Sequence, residues 1–162
     1  MQITYIGHSG FFVRTQEMCY LFDYEKGQLP QPEPGERILM LASHAHPDHY
    51  NPDTPAALRA LGWEVPLAVL GRDIRARKYP PQTEVLSVRA DQTYELPGGA
   101  QLRTLRSTDS GVAFLLQTAE GTVYHAGDLN DWTWDGEPEQ ENRQMRGNYR
   151  HEIDKLAGIP ID

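Results

Sequence analysis

Residues 38–49 constrain this chain more than any other stretch. Ile38, Leu39, Met40, Leu41 and Ala42 are apolar without a break, the pattern of a strand buried on both faces. Ser43-His44-Ala45-His46-Pro47-Asp48-His49 follows at once, and it holds three of the six histidines in the chain. Imidazole nitrogen and carboxylate oxygen are both metal-ligating donors. Pro47 stiffens the loop and removes one backbone donor. A polar loop fed by a rigid strand is a common place for a site. Fold stability does not call for three histidines and an aspartate here, so the loop reads as metal-binding rather than merely solvated.

The rest of the composition sets bounds. A chain of 162 residues suits one domain, taken as 1–162, with a core that needs no disulfide staples. Cys19 is the single cysteine, so no internal disulfide framework is expected. No apolar run reaches the roughly 18 residues of a membrane span, so no membrane partner is expected. The first residues lack the basic and apolar regions of a signal peptide, and a cytoplasmic location is the expectation. The net charge of −8 argues against nucleic acid as a partner, because the basic footprint is missing.

Short β-prone runs dominate the pattern: 3–6, 11–14, 18–22, 67–70, 84–88, 93–96, 101–106, 112–118 and 122–126. Gly7-His8-Ser9-Gly10 reads as a turn, and 25–37, with three prolines, as a polar loop. A helix is expected over 52–61, capped by Asn51 and ended by Gly62, and one helical turn over 73–78. A final helix is expected over 139–156, with Met145, Tyr149, Ile153 and Leu156 at helical spacing. The fold class is α+β with a sheet-rich core.

The segment from His44 to His49 resembles the H-x-H-x-D-H signature of the metallo-β-lactamase superfamily of metallohydrolases. Thr122 to Asp128, a strand ending in Gly127-Asp128, is similar to that superfamily's later strand. Tyr5 to Val13 and Leu21-Phe22-Asp23 are similar to the start of its lactonase-like branch. The resemblance implies a four-layered αββα sandwich. It implies one or two divalent ions, zinc first, with His44 and His46 on one, Asp48 and His49 on the other, and Asp128 bridging. It implies a metal-bound hydroxide acting on a small ester, lactone or phosphodiester, with Asp48 steering a proton. Asp23 would orient a ligand histidine through its ring N–H.

Two departures from the family pattern stand out. The segment Arg106 to Gly111, where the family pattern has a third histidine, has none, and Asp109, or second to it Thr108, is expected to substitute as an oxygen ligand. An oxygen-richer set favours manganese or iron beside zinc. The family also continues past the point where this chain reaches Asp162, and adds a last histidine there. The sandwich is therefore expected to be incomplete at its C-terminal end, with an unpaired sheet edge that favours a homo-oligomer. His151 reads as a helix-surface residue. His125 is either a satisfied half-buried histidine or a site-lining residue or replacement ligand, and His8 either a structural or a pocket residue. Trp132 and Trp134 either roof a pocket or pack. Against the hydrolase of small molecules stand two rivals: a metal-binding or interaction protein without turnover, and a nuclease of the same fold.

Overall fold

The computed structural model describes residues 1–75, 79 and 82–162. Ten strands and two helices follow in the order β1 (Gln2–Gly7), β2 (Gly10–Arg14), β3 (Cys19–Phe22), β4 (Ile38–Ala42), α1 (Thr54–Ala60), β5 (Leu67–Gly71), β6 (Glu84–Val88), β7 (Thr93–Glu95), β8 (Gln101–Arg106), β9 (Val112–Thr118), β10 (Gly121–His125) and α2 (Glu139–Asp154). They form a six-stranded sheet, β1-β2-β3-β4-β5-β6, and a four-stranded sheet, β10-β9-β8-β7. In the first sheet β1, β2 and β3 run antiparallel, while β3, β4, β5 and β6 run parallel. The second sheet is antiparallel throughout.

Alternation along the strands builds the layers. Tyr20 and Phe22 of β3, Leu39 and Leu41 of β4 and Val69 of β5 face Leu102, Phe114, Leu116 and Val123 of the other sheet, in one shared core. Their in-between neighbours face outward. Cys19, Leu21 and Ile38 pack with Leu58 of α1 and with Trp63. Leu105, Ala113 and Leu115 pack with Tyr149 and Ile153 of α2. The order of layers is helix, sheet, sheet, helix, as the αββα expectation has it. Each fully buried Leu, Ile or Phe contributes on the order of 1.5–3 kcal/mol of apolar burial.

The helices differ from expectation at their ends. Asn51 does not cap α1. Its side chain accepts from Asp53 N (3.0 Å) and its carbonyl from Thr54 N (3.1 Å), so 51–53 form a separate turn and the helix begins at Thr54, with Pro55 in its first turn. At the far end of α2, Leu156 N and Ala157 N bond to Ile153 and Asp154 carbonyls three residues back, a tightened exit that shortens the expected helix. Of the expected helical turn over 73–78, residues 76–78 lie outside the described residues. Cys19 is buried, and burial with the charge of Glu36 raises its thiol to about 11, which suits an inert core residue.

The topology places the loops. Parallel strands all leave the sheet at the same end, so Asp23 after β3, Ser43 and His44 after β4, Arg72 after β5 and Arg89 after β6 stand in a row. The loops β1–β2, β8–β9 and the exit of β10 join them at that end, the usual position for a site on such sheets. At the edge strand β10, the chain's own tail covers Thr122: Asp162 N donates to its carbonyl (3.0 Å) and Asp162 Oδ2 accepts from its N–H (2.9 Å).

Candidate metal centre

The signature loop is held from beneath by Asp23. This residue is wholly buried and adopts a left-handed backbone, φ 40°. Its Oδ1 accepts from Ser43 N (2.7 Å). Its Oδ2 accepts from the Ser43 hydroxyl (2.6 Å), His49 Nδ1 (2.8 Å) and His125 Nε2 (2.8 Å). Burial pushes the Asp23 carboxyl up, but His125, His49 and Ser43 outweigh it and hold it far below the usual carboxylate range.

These bonds settle the tautomers. His49 gives its Nδ1 proton to Asp23, so Nε2 carries the lone pair. The Ser43 hydroxyl spends its one proton on Asp23. His44 Nδ1, 2.9 Å from Ser43 Oγ, must then be the donor of that pair, and His44 Nε2 is left with its lone pair. The two Nε2 atoms point at one carboxylate: His44 Nε2 lies 3.3 Å from Asp128 Oδ2, and His49 Nε2 3.2 Å from Asp128 Oδ1.

Acceptor facing acceptor is repulsive unless a proton or a cation sits between. For His49 the proton is available. Burial pushes its pKa down, but the bond and charge of Asp23, with Asp128 and Asp48, reverse that and raise it. For His44, burial and the neighbouring His49 charge lower the pKa and so work against a proton there. His44 Nε2 is buried with no hydrogen-bond partner among the described residues. A buried polar atom left unmatched costs on the order of 1–3 kcal/mol, and a divalent cation removes that cost. The donor set fits a metal ion.

Three groups of donor atoms lie within 4.8 Å of one another: His44, His49 and Asp128; His46, Asp109 and Asp128; and His8, Asp48 and His49. Asp128 belongs to two of them, and so does His49. Every residue expected from the signature is thus brought to one place, together with Asp109 and His8. His8 sits in the β1–β2 turn at φ 48° and its Nε2 is 3.0 Å from Asp48 Oδ2. Burial would raise Asp48, but this bond, with a backbone N–H, lowers it.

Other expected participants stand apart. His125 belongs to none of the three groups. It packs among Phe11, Phe22 and Phe114, spends Nε2 on Asp23 and lines the cavity beside His8. Thr108 donates its hydroxyl to Asn130 O (2.6 Å) and so ties two loops together. His151 is exposed on α2. Trp132 and Trp134 stack at 6.3 Å, with Trp134 exposed, and Trp132 Nε1 donates to Asp128 O (3.1 Å).

Sequence reasoning passed over Ser43 as the relay between Asp23 and His44, although it directly precedes the signature. It also passed over Asp73, whose Oδ2 accepts from Ala45 N (2.9 Å), for which no local pattern exists. Gly111, at φ 69°, runs so close to the loop that a Cβ there would enter the space of the Ser43 carbonyl and of His44 Cβ. Gly111→Ala is expected to cost more than about 1 kcal/mol, read by denaturant unfolding. An unchanged midpoint would show that the loop has room to give.

Fold and site together define an αββα protein with a histidine–aspartate cluster at one end of its sheets. The chain matches the family model described as the beta-lactamase superfamily domain over residues 2–143, and it belongs to that family. A UPF0173 metal-dependent hydrolase of Pyrobaculum calidifontis is 30% identical over 145 residues, 79% of this chain and 61% of the relative. A hydrolase of the same description from Salinibacter ruber is 38% identical over 64 residues, 37% of this chain and 28% of the relative. The chain therefore spans about 61% of the length of the first of these relatives. Among solved structures, CmlA, a diiron beta-hydroxylase from Streptomyces venezuelae, superposes with a TM-score of 0.64 at 19% identity, covering 99% of this chain and 33% of that one. Igni18, a metallo hydrolase from Ignicoccus hospitalis, gives 0.55 at 17% identity, covering 77% and 59%. Both show the fold. No helix among the described residues is long and apolar enough to cross a membrane.

Proposed function

We propose that this chain carries the metal centre of a metal-dependent hydrolase acting on a small ester, lactone or phosphodiester. The observation that carries the reading is the convergence of His44 Nε2 and His49 Nε2 on Asp128, with His44 Nε2 buried and without a hydrogen-bond partner among the described residues. His44 and His46, with Asp109 and Asp128, would hold one ion. Asp48 and His49, with His8 and again Asp128, would hold a second. The donors are nitrogen and carboxylate oxygen, with Cys19 in the core on the outer face of the first sheet, which fits zinc and also manganese or iron. A divalent ion bound there supplies Lewis acidity, acidifying water and polarising a carbonyl or phosphoryl oxygen.

The chain's own residues do the rest. Asp23 fixes the ring of His49 directly and that of His44 through Ser43, so neither can turn its Nε2 away. Asp48, about half exposed and kept ionised by His8, is the acceptor for a proton leaving water at the mouth of the site. His8 can pass that proton on to solvent. The apolar floor beside His8, made by Phe11, Phe22 and Val123, limits water on that flank. A small-molecule substrate and a homo-oligomer belong to the same reading, and the net charge of −8 disfavours a nuclease.

Metal analysis of protein purified without chelator tests it. About one or two transition-metal ions per chain are expected, identified by elemental mass spectrometry, and His46→Ala should carry measurably less. Unmodified protein free of metal, and unable to take it up on dialysis, would overturn the proposal.

A further inference from the structure

We propose that Arg72, Arg89 and Arg106 form a cationic subsite that holds an anionic group of the substrate, a carboxylate or a phosphate, beside the candidate metal centre. The inference rests on the hydrolase reading for its location, and on a separate set of residues for its chemistry.

The three arginines come from different elements. Arg72 is the first residue after β5, Arg89 the first after β6, and Arg106 the last of β8. Because β5 and β6 are parallel and adjacent, the first two necessarily stand side by side. Arg106 reaches the same place from the facing sheet. Together they line an open cavity of about 690 Å³, whose wall also includes Asp73, Asp109 and Gly111. Asp109 belongs to the group with His46 and Asp128, so this cavity and the candidate metal centre share a wall.

Three guanidinium groups face this cavity against two carboxylates, Asp73 and Asp109, so the wall keeps an excess of positive charge. Asp73 Oδ2 accepts from Ala45 N, and Asp109 lies in the donor group with His46 and Asp128. Asp91, whose carboxyl is lowered mainly by its bond to Lys155 and to a lesser degree by Arg106, is tied to Lys155 Nζ at 2.6 Å. Among the described residues, none of the three guanidinium groups makes an ion pair or a side-chain hydrogen bond. In a chain of net charge −8, gathering three such cations on one wall costs mutual repulsion. The arrangement suits a ligand that brings the negative charge. The guanidinium fork matches the two oxygens of a carboxylate or phosphate.

The opposite flank supports the direction. The cavity on the His8 side, about 420 Å³, is floored by Phe11, Phe22 and Val123 and contains neither Lys nor Arg. An anionic substrate would therefore be oriented with its charged end toward Arg89 and its apolar end toward Phe11. The bond to be cleaved would lie between them, at the metal centre.

The experiment measures binding, by titration calorimetry on metal-loaded protein, with inorganic phosphate and with succinate as the two probes. Phosphate competing best identifies a phosphate end group, and succinate a carboxylate. The triple variant Arg72→Gln/Arg89→Gln/Arg106→Gln, checked for unchanged metal content and unfolding midpoint, is expected to bind the preferred probe at least about tenfold more weakly, since each charge-assisted contact is worth roughly that factor. His46→Ala should retain the arginine-dependent part of the binding. Binding by the triple variant equal to that of the unmodified protein would place the anion on the metal and overturn the subsite, as would no binding of either probe to the unmodified protein. If the protein proves metal-free yet loses phosphate binding in the triple variant, the subsite stands and the hydrolase reading falls.

Discussion

Asp128→Ala is expected to lower turnover by about 10³-fold or more, the scale on which site electrostatics act, and to leave the protein with at most a fraction of its metal. The reason is position. Asp128 Oδ1 and Oδ2 stand 3.2 and 3.3 Å from the Nε2 atoms of His49 and His44. It is the one carboxylate that belongs to two of the three donor groups. No other acidic side chain of those groups faces His44. The fold should survive, because the backbone at this point is held independently by Trp132 Nε1 on Asp128 O and by Leu129 N on Ala126 O. Asp128→Asn sharpens the result. Its amide N–H₂ would satisfy one histidine lone pair, so that variant should be the more stable of the two while still metal-poor. Elemental analysis and kcat/KM, measured on whichever ester, lactone or phosphodiester the unmodified protein turns over, decide the matter. Full metal content in Asp128→Ala would overturn the bridging role.

Asp23→Ala should be the most destabilising single change at the site, at about 3–5 kcal/mol, the range for removing one partner of a buried charged pair. Four donors lose their acceptor together: Ser43 N, Ser43 Oγ, His49 Nδ1 and His125 Nε2. The left-handed backbone at φ 40° adds to the loss, because alanine tolerates it less well than Asp or Asn. Asp23→Asn keeps the shape, the backbone preference and one acceptor oxygen. It should therefore unfold at a midpoint between those of Asp23→Ala and the unmodified protein. Its metal affinity should fall roughly 10–100-fold, the usual cost of losing the partner that orients a ligand histidine. Equal unfolding midpoints for all three proteins would show that the carboxylate is not holding the loop.

The strands were legible because their neighbours are simple. The run Ile38–Ala42 is apolar at every position and is buried at every position. The run 112–118 was legible as a strand for the same reason, with its first five residues apolar and buried. The signature was legible because His44, His46, Asp48 and His49 are close in sequence, and Asp128 because it ends a recognisable strand. Asp109 was reached by asking what stands where a histidine is missing, and its carboxylate lies within reach of His46 and Asp128. The helix ends were less legible, since Asn51 has two competing uses for its polar groups and only local geometry selects between them. His125 stayed ambiguous for a similar reason. Strand alternation says which face it takes, but not that Asp23, about a hundred residues away in the chain, is waiting there.

By itself the sequence determined the donor types, their spacing on the signature loop, the order of the elements and the sheet-rich class, because each of these depends on residues near one another in the chain. Tertiary structure alone decided three things. It brought His8, Asp48 and Asp128 from separate loops to one end of the sheets. It fixed the histidine tautomers through Asp23 and Ser43, so that two lone pairs meet a carboxylate. It lined up Arg72, Arg89 and Arg106 beside them. The physical reason is the packing of two sheets: the parallel strands β3 to β6 deliver Asp23, the signature loop, Arg72 and Arg89 to one edge, the β1–β2 turn and the facing antiparallel sheet bring His8, Arg106 and Asp128 to the same end, and no local pattern records which residues will arrive together.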